Sequence, residues 1–201
     1  MAHPAETATD TLIARLRGHA GEMPLPVDDE VFLPGLWGSF DAEQGALSGR
    51  LQAGDGALLR VSIAAERPGR WCTLSMNLGW TALPEGAVIG LVADLRSSRP
   101  TTITLHLRAI HGTERRDVAF DEGFALTPEG GAQVALLEVP PGSVLSAPDQ
   151  RLTVVMDLPQ TDIDIVFRDM RLFVLPDPIP DPASDRETAA PAESPVATVD
   201  G

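Results

Sequence analysis

From Ala57 onward, apolar and polar residues alternate with a period of two. Leu59, Val61 and Ile63 alternate with Arg60, Ser62 and Ala64, and Cys72, Leu74, Met76 and Leu78 alternate with Trp71, Thr73, Ser75 and Asn77. A period of two puts one set of side chains on each face of an extended segment, so these runs are half-buried strands. The pattern predicts strands over Ala57–Ala65, Trp71–Leu78, Ala87–Leu95, Thr101–Ile110, Arg115–Phe120, Ala132–Val139, Arg151–Leu158 and Ile163–Leu175, the last long enough to contain a bend. Short strands are expected at Gly35–Phe40 and Ala46–Leu51. Between the strands lie Arg-Pro-Gly, Leu-Pro-Glu-Gly, Ser-Ser-Arg-Pro, Thr-Pro-Glu-Gly-Gly and Pro-Pro-Gly, all of them turn chemistry.

A helical period occurs once, over residues 9 to 18. Thr9 or Asp10 is placed to cap it, Leu12, Ile13 and Leu16 share one face, and Gly18 stands at the stop. A helix of three turns is marginal alone in water, so it must dock on the protein's own body or on a partner chain. With no helix between later strands, a parallel α/β arrangement is excluded. The expected fold is an antiparallel all-β sandwich of jelly-roll type with one short N-terminal helix. Residues 1–30 are read as helix and linker and 31–175 as the sandwich. Residues 176–201, rich in proline and acid, are read as a disordered tail.

Composition narrows the partners. The chain has 201 residues and a net charge of −14, with 29 acids against 15 basic residues, every one of them arginine. Such a surface disfavours nucleic acid and anionic membrane. No run approaches the roughly 20 apolar residues of a membrane span, the first residues lack the pattern of a secretory leader, and the single Cys72 cannot close an internal disulfide. A cytoplasmic location is the resulting expectation.

The runs GAVIGLVADLRSSRPTTITLHLRAI, DEGFALTPEGGAQVALLEVP and LTVVMDLPQTDIDIVFRDMRLFVLP resemble, in turn, the paired central strands, the loop leading into the next strand and the closing hairpin of galactose-binding-like sandwiches. That superfamily includes many carbohydrate-binding modules, and the resemblance spans about Leu58 to Leu175. It implies a jelly roll with a sugar-binding role; where members of that superfamily usually carry tyrosine and tryptophan in their binding loops, this chain has no tyrosine and only Trp37, Trp71 and Trp80.

The residues point the same way. With apolar members inward, one sheet face displays Trp71, Thr73, Ser75 and Asn77, the next strands display Asp94 with Thr102, Thr104, His106 and Arg108, and Trp80 lies just past a strand end. Aromatic faces stack on sugar C–H groups and fixed polar groups read hydroxyls, so this is the equipment of a shallow glycan site; an ordinary solvated sheet face has the same composition. Trp37 and Phe40, in PGLWGSF, are expected to seal one end of the sandwich.

Catalytic signatures are missing. No G-x-S-x-G, H-E-x-x-H, C-x-x-C, P-loop or Rossmann pattern occurs, and Cys72 falls on the apolar side of its strand, as an inert core thiol does. Asp162-x-Asp164 with Asp157 and Asp169 could hold a structural calcium ion or simply keep an edge strand soluble, and no other cofactor is indicated. Acid pairs such as Asp121 with Glu122 or Asp162 with Asp164 leave a hydrolase open as a minor alternative. The leading expectation is a non-catalytic carbohydrate- or glycoconjugate-binding module or accessory protein. The other is a protein-interaction component of a polysaccharide-handling or phage-like assembly that uses the N-terminal helix and a sheet face.

Overall fold

A computed structural model describes residues 2–29 and 31–176. The expected tail lies outside the described residues apart from Pro176. The chain forms helix α1 (Pro4–Gly18) and twelve strands: β1 (Gly21–Leu25), β2 (Leu36–Phe40), β3 (Ala46–Gly54), β4 (Ala57–Arg67), β5 (Cys72–Trp80), β6 (Val88–Ser97), β7 (Thr101–His111), β8 (Glu114–Ala119), β9 (Phe124–Leu126), β10 (Gly131–Glu138), β11 (Arg151–Asp157) and β12 (Ile163–Leu175). They make an antiparallel sandwich. One sheet has the order β1-β3-β4-β12-β6-β10; the other has β2-β5-β11-β7-β8, with β9 paired to β7.

From β4 to β7 each successive strand crosses to the opposite sheet, and β10, β11 and β12 do the same. This places the inward residues of consecutive strands face to face across the interior. Leu59, Val61 and Ile63 of β4, Leu74, Met76 and Leu78 of β5, Leu105 and Leu107 of β7, Val154 and Met156 of β11, and Ile165 and Phe167 of β12 are all buried in one apolar cluster. The alternation read from the sequence is what builds this interior. The bend expected in the last strand is a bulge, where the register of β12 on β6 shifts between Phe167 and Asp169.

Two short strands escape the sequence pattern. β1 pairs with β3, and β9 is only three residues long. In β1 only Leu25 is buried, so little alternation marks it.

The helix starts five residues before its expected beginning. His3 is its cap, Pro4 occupies the first turn, and Glu6 completes a capping box by accepting from His3 N at 2.7 Å. Thr9, expected as a cap, is instead buried inside the helix, its hydroxyl bonded to the Ala5 carbonyl at 2.9 Å. Ala5, Thr9, Leu12, Ile13 and Leu16 form the buried face. The helix docks on the protein's own body, against β12 of one sheet and β5 of the other. Glu6 Oε1 accepts from Val174 N at 2.8 Å and Arg17 reaches Asp169 at 2.6 Å, so both helix ends are tied to β12. No helix among the described residues is long and apolar enough to cross a membrane.

Candidate functional site

The outward face of the β2-β5-β11-β7-β8 sheet carries a groove of about 670 Å³. Strand register arranges its residues in rows. Trp37 of β2 pairs with Ser75 of β5, Ser75 with Val155 of β11, and Val155 with His106 of β7. The row beside it runs Ser39, Thr73, Asp157, Thr104. In the other direction come Asn77, Thr153, Arg108 and Asp117, and then Arg151, Ile110 and Arg115. Asp29, Trp37, Ser39, Trp71, Thr73, Ser75, Arg108, Ile110, Arg115, Arg151, Thr153 and Asp157 line the concavity.

Most of the polar groups are held in place. Ser39 and Thr73 hydroxyls lie 3.2 Å apart. Asp157 Oδ2 accepts from Thr104 Oγ1 at 3.0 Å and lies 2.7 Å from His106 Nε2. Arg108 grips Asp117 through two bonds of 2.7 Å, and those bonds hold the Asp117 carboxyl below the usual carboxylate range. Thr153 differs: it is 1% exposed, and its Oγ1 has no hydrogen-bond partner among the described residues. A buried hydroxyl without a partner is uncommon in a native fold.

Trp71 is 41% exposed at the Asp157 end of the groove. Arg70 stacks on its ring at 4.8 Å and is itself bonded to Asp41 at 2.7 Å. Asp41 is fully buried and accepts also from the backbone N–H groups of Glu43, Gln44 and Arg70. The Arg70 side-chain bond, with these N–H groups, holds its carboxyl well below the usual carboxylate range in spite of burial.

Thus Trp71, Thr73, Ser75, Thr104, His106 and Arg108 come together on one face as expected, although Ser75 is 3% exposed and forms floor rather than rim. Three expected members do not join them. Asp94 stands on β6, in the opposite sheet, with Arg168 at 3.6 Å; adjacency in sequence put it beside β5, but the jelly-roll crossover carries β6 away. Trp80, 71% exposed, faces a separate cleft of about 740 Å³ between α1 and the Pro34–Gly35 turn. Asn77 lines that same cleft, and its Oδ1 accepts from Gly79 N at 3.0 Å; a bulge opposite Leu152 and Thr153 displaces this end of β5.

Trp37 also departs from expectation. Leu36 and Gly38 point inward, so Trp37 and Ser39 face the groove, while Phe40 alone packs against the core. Trp37, read from the sequence first as a seal, is joined in the groove by Asp29, Ser39, Ile110, Arg115, Arg151, Thr153 and Asp157, none of which the sequence assigned to it. A signal for three of them lay in RLTVVMD, where Arg151, Thr153 and Asp157 alternate with Leu152, Val154 and Met156.

The acids considered for a metal do not converge. Asp157 lies in one sheet and Asp164 and Asp169 in the other. Asp162 accepts from Ala65 N and Asp164 from Ser62 Oγ, and Asp169 is bonded to Arg17. No three His, Cys, Asp or Glu side chains among the described residues are grouped to hold a metal ion. Asp121 and Glu122 are both exposed. Cys72 is buried, and burial pushes its thiol up to about 11.

No protein-family model matches the sequence, and no curated protein matches it. Solved structures do match in fold. A carbohydrate-binding module of the group CBM4 is 14% identical, with 76% of this chain and 94% of that one covered and a TM-score of 0.55. The N-terminal cellulose-binding domain of Cellulomonas fimi β-1,4-glucanase C is 18% identical, with 69% and 87% covered and a TM-score of 0.47. The CBM22-1 xylan-binding domain of Paenibacillus barcinonensis Xyn10C is 11% identical, with 88% and 94% covered and a TM-score of 0.43. The chain has the jelly-roll sandwich of carbohydrate-binding modules.

Proposed function

We propose that the chain is a non-catalytic carbohydrate-binding module whose ligand lies along the groove of the β2-β5-β11-β7-β8 sheet. The observation that carries this reading is the pair of indoles, Trp37 and Trp71, lining one concavity with the hydroxyls of Ser39, Thr73 and Thr153 and the charged groups of Asp157 and Arg108. Indole faces accept the apolar C–H face of a pyranose, and polar side chains in the same concavity offer partners to its hydroxyls. The one thiol of the chain, Cys72, is buried in the core and does not line the groove. The structure that matches in fold with a TM-score of 0.55 is a CBM4 module, so soluble glycans are the first ligands to try.

Calorimetric titration with soluble β-glucan and xylan oligosaccharides tests the reading. Binding to at least one is expected, weakened about tenfold or more by Trp71→Ala or Trp37→Ala, which corresponds to about 1.4 kcal/mol. Trp80→Ala, which alters the other cleft, is expected to leave affinity unchanged. Affinity insensitive to both groove tryptophans would overturn the assignment.

A further inference from the structure

The groove is electrically uneven along its length. Asp157, with Thr104 and His106 bonded to it, occupies one end of β11, and Arg151 occupies the other. Six residues of strand at about 3.3 Å each separate them by about 20 Å, so the two charges act on different parts of an extended ligand. At the Arg151 end, register sets Arg151, Ile110 and Arg115 in one row across β11, β7 and β8. Two strand spacings put the arginine backbones about 10 Å apart, with the side chain of Ile110 between them. Arg108, in the next row, already has both sides of its fork committed to Asp117. Neither Arg151 nor Arg115 forms an ion pair within 4.0 Å among the described residues, although Asp29 lines the same concavity and Asp117 feels the charge of Arg115. Thr153, whose buried hydroxyl lacks a partner, is two residues from Arg151 on the same face.

We propose that the groove selects a uronic-acid-containing glycan, with the sugar carboxylate received between Arg151 and Arg115. This rests on the glycan-binding reading above and sharpens it. A guanidinium presents a planar fork that matches a carboxylate in two parallel bonds, and the bonds are charge-assisted. The apolar Ile110 between the forks supplies a surface for the ring that bears the carboxylate. Asp157 repels the same anion at the far end, so the ligand's orientation in the groove is fixed as well as its class. The strongly negative charge of the chain, −14, opposes the approach of a polyanion at low salt, yet at ionic strengths near 0.15 M distant charges are screened beyond about 8 Å and the local arginines dominate.

The test compares an acidic oligosaccharide with its carboxyl-reduced counterpart, the same chain with each uronic acid converted to the neutral sugar, titrated into the full chain at pH 7 and 0.15 M salt. A xylo-oligosaccharide bearing glucuronic acid and an oligogalacturonide serve as the acidic probes. At least one acidic form is expected to bind about tenfold or more tightly than its reduced form. The double variant Arg151→Gln, Arg115→Gln is expected to erase that advantage, bringing the ratio of acidic to reduced affinity to about one whatever its effect on the reduced form. Equal binding of acidic and reduced forms by the unaltered protein would overturn the uronate assignment and leave glycan binding standing, and so would an advantage that survives the double variant. If no form binds, and the neutral panel does not bind either, the glycan reading itself falls.

Discussion

The guanidinium of Arg70 lies over the indole of Trp71, 4.8 Å from the ring centroid. Its position is inherited from Asp41, a carboxylate with no exposed surface that bonds Arg70 Nε at 2.7 Å and collects three backbone N–H groups from the surrounding turn. A buried charge thus orders the segment that carries the exposed indole at one end of the groove.

Asp41→Asn is therefore expected to lower the melting temperature at pH 7 and to weaken glycan affinity several-fold by loosening Arg70 and Trp71. The pH dependence has a definite sign. The folded carboxyl is held below its ordinary value of about 3.9, so the folded state binds fewer protons, and the stabilisation is complete above that value and lost as pH falls through the acid range. Melting curves from pH 7 to pH 2.5 check this. The unaltered protein should lose more stability on acidification than the Asn variant.

The strands were legible because one face of each is buried, and burial writes itself into the sequence as alternation. What the sequence conceals is which sheet a strand joins. β5 and β6 are consecutive, yet β5 pairs with β2 and β11, and β6 with β12 and β10, so Asp94 was grouped with Trp71 on grounds that only a meander would satisfy. Trp37 was misplaced for a local reason: in Leu36–Phe40 the inward position between Leu36 and Phe40 is Gly38, which has no side chain to mark the buried face. Arg115 and Arg151 are not legible in the same way, because pairing partners such as Ile110 and Arg151 are far apart in sequence and no local pattern reports them.

The helix should prove structural rather than a free interaction surface. Leu16 is fully buried where α1 meets the sandwich. Leu16→Ala is expected to cost about 2–5 kcal/mol, measured by urea unfolding, while the folded fraction keeps its glycan affinity because the groove lies elsewhere. A variant of unchanged stability would mean that the helix face is not packed on the body.

Cys72 should resist thiol reagents in the native protein. Burial, with the charge of Asp157 as a smaller influence, raises its thiol to about 11, so at pH 8 about one molecule in a thousand carries the reactive thiolate. Titration with a chromogenic disulfide is expected to find no fast-reacting thiol in buffer and one per chain in denaturant.

Thr153→Val separates folding from recognition most sharply. Valine nearly matches threonine in shape and replaces the hydroxyl by a methyl group. That hydroxyl is buried with no partner among the described residues, and leaving such a group unsatisfied costs about 1–3 kcal/mol. The variant should therefore unfold at an equal or higher urea midpoint than the unaltered chain. If the hydroxyl is held in reserve for a sugar, the same variant should bind glycan several-fold more weakly, because a bound sugar then loses a hydrogen bond and meets a methyl group in its place. Stability and affinity would move in opposite directions, which a packing defect cannot produce. Unchanged affinity beside raised stability would show that Thr153 takes no part in binding.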